Sequence, residues 1–202
     1  MRYPDGRKSW QADDAVKALK FVVGRLKFPA YAYAPLAKAT GSSSKHPLVI
    51  FSHGLAGTRH TYTQYCSALA SQGYVVLAVE HRDGSAPAVT LPPAPPVNGR
   101  TTPTKQEQRV LGYIKKDEIA WEGGEKGSLE RFRTLQLEMR VREVYEAYQS
   151  FGRVVQGDSS EAILEPIDAA LRQQWAGSLR DQVDMSQVQL TGHSFGAGTV
   201  VS

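Results

Sequence analysis

The sequence predicts an α/β fold, a mostly parallel sheet flanked by helices, and three observations predict it. Two short runs, Pro47 to Ser52 and Tyr74 to Glu80, are rich in apolar and β-branched residues, as strands buried between helix layers are. Between them Tyr62, Tyr65, Cys66 and Leu69 recur at i, i+3, i+4 and i+7, and Gly73 stands where a helix should stop. A third run, Val188 to Thr191, leads directly into Gly192-His193-Ser194-Phe195-Gly196 and a stretch of small residues. Strand, helix and strand within 47–80 form one βαβ unit, whose strands must be parallel and joined by a right-handed crossover.

The other elements follow in chain order. Residues 12–28 place Val16, Leu19, Val23 and Leu26 at helical spacing among Lys17, Lys20, Arg25 and Lys27, with Gly24 weakening the helix. This basic amphipathic segment reads either as a helix or loop packed on the domain or as one that lies on a membrane or lipoprotein surface. A Gly-Ser turn at 41–44 precedes the first strand. Residues 85–128 form a loop-rich excursion, because Pro87, Pro92, Pro93, Pro95, Pro96 and Pro103 suit neither helix interiors nor central strands. From 129 to 151, Leu137, Val141, Val144, Tyr148 and Phe151 line one face of a long helix that Gly152 is expected to stop. A further helix is expected from Pro166 to Trp175, with Ile167, Leu171 and Trp175 on one side.

Composition excludes several classes. At 202 residues, 41% apolar and 22% charged, the chain is expected to be a soluble globular domain. Its longest apolar run, Tyr74 to Val79, is far shorter than the roughly 18 to 20 residues of a membrane-spanning helix. A single cysteine, Cys66, allows no internal disulfide and no zinc-type cluster, and a buried thiol is expected. The net charge of +4 lacks the basic stripe with interleaved aromatics that nucleic acid calls for, so no nucleic-acid partner is expected. The N-terminus has no apolar signal core, so a cytoplasmic or peripheral-membrane protein is expected, with secretion left open.

The strand running into G-x-S-x-G carries the chemistry. A nucleophile elbow is a strand-to-helix turn so sharp that the serine is held in a strained backbone and side chains at the flanking positions would clash. Gly192 and Gly196 occupy those positions around Ser194. The Phe195 N–H and the start of the following helix then face the place where an oxyanion would form. His53-Gly54-Leu55-Ala56-Gly57 follows the first strand, where an α/β-hydrolase fold has the loop that supplies a second oxyanion donor, and the Leu55 N–H is the candidate. His53 is expected to anchor that loop by hydrogen bonds, and His193 to pack beneath the nucleophile.

PLVIFSHGLAGTRHTYTQYCSALASQGYVVLAVEHRDGSA, LERFRTLQLEMRVREV and VQLTGHSFGAGTVV together resemble the platelet-activating-factor acetylhydrolase family of phospholipases. The resemblance runs from about Pro47 to Ser202 and is weaker in the proline-rich excursion and just before the elbow. It implies a calcium-independent esterase with no metal and no cofactor, cleaving the sn-2 ester of glycerophospholipids whose sn-2 chain is acetyl, short or oxidised. It further implies that Ser194 is the nucleophile of a Ser-Asp-His triad, with the Leu55 and Phe195 N–H groups as the oxyanion hole.

In this fold the acid and then the histidine follow the nucleophile in chain order. Eight residues follow Ser194, so the triad Asp and His are expected to be absent from this chain and the fold to be incomplete, its later strands missing after the elbow. His81 and Asp83 end the second strand and could in principle substitute, but pocket-shaping is the expected role; His46 and His60 read as solvated loop residues. The strand Val188 to Thr191 is then an open edge, and the chain alone is expected to fold poorly or to be inactive. Two rival functions remain: a general short-chain carboxylesterase, and a catalytically dead lipid-binding module.

Overall fold

The computed structural model describes residues 28–39, 44–91, 110–121, 127–158 and 169–202. The basic segment 12–28, apart from Phe28, lies outside them, as do the Gly-Ser turn at 41–43, most of the proline-rich stretch and residues 166–168 of the expected second helix. The chain divides into two units, Met1–Ala34 and Pro35–Ser202. In the first, the described residues 28–34 form a short exposed turn. The second carries everything that follows.

Its centre is a three-stranded parallel sheet of β1 (His46–Ser52), β2 (Val75–Val79) and β5 (Val183–Gly192), in the order β2-β1-β5. β1 is the central strand, and Leu48, Val49, Ile50 and Phe51 are all almost fully buried, as a strand covered on both faces requires. α1 (Thr63–Ser71) makes the crossover from β1 to β2. Gly73 follows it at φ +92°, a conformation that L side chains rarely adopt, which lets the chain turn straight into β2.

Side chains alternate along β1 and so serve two layers. Leu48 and Ile50 pack with Val144, Val154 and Val155 of α2 (Leu129–Val155) and with Ala176 and Leu179 of α3 (Ala169–Leu179). Phe51, one residue out of phase, stacks instead on Tyr62 and Tyr65 at the start of α1, with ring centroids 4.8 and 5.4 Å away. Helices therefore cover both faces of a parallel sheet. With the serine turn that follows β5, this is part of the α/β-hydrolase arrangement that the sequence predicts.

Several expectations need correction. α2 does not stop at Gly152 but continues to Val155, because Val154 and Val155 find places in the core; it ends where Gly157 takes φ +105°. Its expected apolar face is displaced, for Val141 is 38% exposed while Gln136, Arg140 and Glu143 are buried. β5 begins at Val183, five residues before the expected strand: His46 and Pro47 pair with Val183 and Asp184, and the register then shifts so that Leu48 pairs with Val188. Its polar first half hides the strand from an apolar pattern. Within the loop-rich excursion, β3 (Ala88–Thr90) and β4 (Val110–Gly112) form a small antiparallel ribbon.

Two side chains are also re-placed. His46 is a buried strand residue rather than a solvated one, its ring bonded to the carbonyls of Gly73 and Ala37 at 2.7 and 2.8 Å. Cys66 is only half-buried, and that burial raises its thiol pKa. Among the described residues no helix is long and apolar enough to cross a membrane.

Candidate functional site

The register of the sheet brings the site together. Ser52 pairs with Gly192, so the loop after β1 and the turn after β5 leave the carboxyl ends of adjacent parallel strands side by side, where α/β folds place ligands. α4 (Phe195–Val201) begins at once after Ser194. Ser194 itself has φ 54° and ψ −118°, a strained conformation for a residue with a side chain, and it is exposed.

Both flanking glycines are demanded by contact. A Cβ on Gly192 would run into the backbone of Gly196 and come within 2.8 Å of the Ala197 nitrogen. A Cβ on Gly196 would strike the Ser52 carbonyl and stand 2.8 Å from that of His53. The end of β1 thus presses directly on the turn, and the His193 N–H donates to the Ser52 carbonyl at 3.2 Å. A Cβ on Gly54 would lie 3.3 Å from that of Ser194, which places the HGLAG loop beside the serine.

The amides around the serine divide into two kinds. Ala56 donates to the Ser85 carbonyl, Gly57 to Gly54, Gly196 to His193 and Ala197 to Ser194. Among the described residues, the N–H groups of Leu55 and Phe195 have no acceptor. Two unpartnered donors therefore flank an exposed hydroxyl, an uncommon state for backbone groups in a folded chain.

The histidines are all committed elsewhere. The chain has five, and each ring has a partner other than Ser194. Two of the rings lie outward: His60 accepts from Arg59, and His193 is exposed, its Nδ1 2.7 Å from the Tyr62 hydroxyl, beside the serine rather than packed beneath it as expected. His53 is fully buried and its Nδ1 donates to the Gly54 carbonyl at 2.9 Å, which anchors the loop as expected. His81 Nε2 meets the Ser52 hydroxyl at 2.8 Å and its Nδ1 meets Glu143 at 2.9 Å. Ser52, His81 and Glu143 thus have the connectivity of a hydrolytic triad, but Ser52 is 0% exposed and no substrate reaches it. Burial pushes the His81 pKa down, with Arg140 and His53 acting the same way and Glu143 opposing.

A second buried group lies beside the first. Arg140 is bonded to Asp83 at 2.7 Å and to the His53 carbonyl at 2.6 Å, and Gln136 donates to the Asp83 carbonyl at 2.9 Å. Asp83 therefore sits in a structural ion pair, not at Ser194. The sequence reading missed Gln136, Arg140 and Glu143. Their one signal was spacing: three polar residues at i, i+4 and i+7 mark a single helix face, which charge alone made look solvated. A cavity of about 600 Å³ opens between β2, the β3 strand and α2, lined by Leu77, Glu80, Val89 and Glu146 among others. None of Ser194, Leu55 and Phe195 lines it, so it is not the site of the serine.

The pattern described as platelet-activating factor acetylhydrolase, isoform II, matches residues 8–202. The chain belongs to the platelet-activating factor acetylhydrolase family. Relatives named platelet-activating factor acetylhydrolase include those of Gallus gallus, 31% identical over 186 residues, and of Cavia porcellus, 33% identical over 191. Each alignment covers 92% of this chain, and 40% and 37% of the two relatives. The chain thus spans about two-fifths of the length of the curated relatives it matches. As a member of this family it carries part of an α/β-hydrolase domain, the serine turn included.

Proposed function

We propose that the protein carrying this chain hydrolyses the sn-2 ester of glycerophospholipids with an acetyl, short or oxidised sn-2 chain, without calcium. The observation that supports it most is the strained, exposed Ser194 flanked by the two unpartnered N–H groups of Leu55 and Phe195, in a chain of this family. Ser194 Oγ attacks the sn-2 carbonyl carbon as its proton passes to a base, and the carbonyl oxygen becomes an oxyanion held by the two amides. The bond to the glycerol oxygen then breaks, and that oxygen takes up the proton and leaves as the lysophospholipid. Water, deprotonated by the same base, cleaves the acyl-serine, which releases the short acid and restores Ser194.

Each of the five histidine rings has a partner other than Ser194, which supports placing the base and its acid in the part of the relatives that the chain does not span. Residues 12–28 would rest on the lipid surface, Val16, Leu19, Val23 and Leu26 inward and the lysines toward anionic headgroups. Vesicle partitioning should drop for Leu19→Asp and Leu26→Asp, and unchanged partitioning would refute this part.

The test uses the full-length protein. A fluorophosphonate probe should label Ser194, and phosphatidylcholine with an sn-2 acetyl chain should be cleaved in EDTA far faster than its long-chain analogue. Ser194→Ala should lose both. Comparable rates on a soluble acetate ester and the acetyl phospholipid would favour a general carboxylesterase. The commitment of every histidine ring elsewhere favours one other reading, a lipid-binding module, which would bind vesicles while Ser194 stays unlabelled.

A further inference from the structure

Arg140 is the largest fully buried side chain among the described residues, and its guanidinium has three partners. Nε donates to Asp83 Oδ2 at 2.7 Å, Nη1 to the His53 carbonyl at 2.6 Å and Nη2 to Ser85 Oγ at 2.5 Å. These partners bracket Leu55. His53 lies two residues before it, and the Ser85 carbonyl accepts the N–H of Ala56, one residue after it, at 2.8 Å. Ser85 is itself fixed, its N–H and hydroxyl both donating to Asp83 Oδ1 at 3.0 and 2.6 Å. The guanidinium carbon also lies 4.7 Å from the centroid of the Phe195 ring.

One buried cation therefore contacts the framework of both unpartnered amides. Stability alone gives little reason for it, since removing an ion pair from water costs about as much as its attraction returns. A planar fork that ties three segments at fixed angles does give geometry. We propose that Arg140 is a positioning residue for the oxyanion hole, holding the Leu55 and Phe195 N–H groups at the spacing that a tetrahedral oxyanion needs. The proposal rests on the hydrolase reading above.

The test compares an acetate ester with its thionoacetate analogue, because sulfur accepts hydrogen bonds poorly and gains less from an oxyanion hole. The ratio of the two kcat values does not depend on how much of a preparation is folded. Arg140→Lys keeps a charge for Asp83 but loses the fork, and Ser85→Ala removes one hydroxyl, so the second variant decides the matter if the first does not fold. Both should lower kcat on the oxygen ester, Arg140→Lys by about 10-fold or more, since losing one oxyanion donor outright costs about 100- to 1,000-fold. KM should change little and the oxygen-to-sulfur ratio should fall. Val144→Ala, a core cavity in the same helix, should leave the ratio as in wild type. An unchanged ratio in the folded variants would overturn the proposal even if kcat falls. Failure of the wild-type Ser194 to take up a fluorophosphonate would instead refute the hydrolase reading, and this proposal with it.

Discussion

At Gly196 the whole geometry of the serine turn depends on a missing methyl group. The Ser52 carbonyl occupies the place where a Cβ would stand, and that carbonyl belongs to the central strand, so it cannot move without disturbing β1. Gly196→Ala should therefore destabilise the fold by about 2–3 kcal/mol, the upper part of the range for overpacking, and abolish probe labelling of Ser194. Urea unfolding and labelling check it together, and normal labelling at normal stability would show that the close approach is not required. His81 makes a second prediction at this scale. Its pKa is lowered in the folded chain, chiefly by burial, so below the unfolded value of about 6.5 the unfolded chain takes up a proton that the native one does not. The contribution is complete above that pH and is lost as pH falls toward the folded pKa, by at most about 1.4 kcal/mol per unit. Urea midpoints should fall between pH 7.5 and 5.5 in wild type and less so in His81→Gln; parallel curves would show that His81 has no part in it.

The long helix α2 shows how far an element could be read from its sequence. Its existence follows from the apolar repeat, and so does the packing of Val144 against Leu48 and Ile50. Its end does not. Gly152 reads as a stop, yet a stop needs a turn conformation, and here the helix passes through it because Val154 and Val155 gain more by reaching the core. Gly152→Ala should then stabilise the protein by about 0.5–1 kcal/mol, for the added Cβ would meet only Met185 Cε at 3.5 Å, an ordinary contact. A lower Tm would contradict this. The buried face was illegible for a different reason. Arg140 and Glu143 lie over the polar loops at the end of the sheet, and a periodicity count registers hydrophobic residues, not polar ones buried together. By contrast, the serine turn was legible residue by residue, because steric limits fix glycine at two positions whatever surrounds them.

At the scale of the molecule, the sheet among the described residues has β1 in the middle and two open sides. β5 lies along one of them with Leu190 49% exposed, and Val201 of the helix beyond it is 84% exposed. Edge strands with unpaired backbone groups and apolar side chains template further pairing, and natural proteins blunt them with charge. The 202-residue sequence expressed alone should accordingly self-associate, with a size that rises across the micromolar range in light scattering. Leu190→Lys, which puts a charge on the exposed edge, should reduce that association while leaving far-UV circular dichroism unchanged. A monodisperse monomer would mean that β5 is covered. If the monomer also failed to label at Ser194, the defect would lie in the want of a proton acceptor for the serine and not in the assembly of the elbow, since a covered β5 holds Gly192 in register with Ser52.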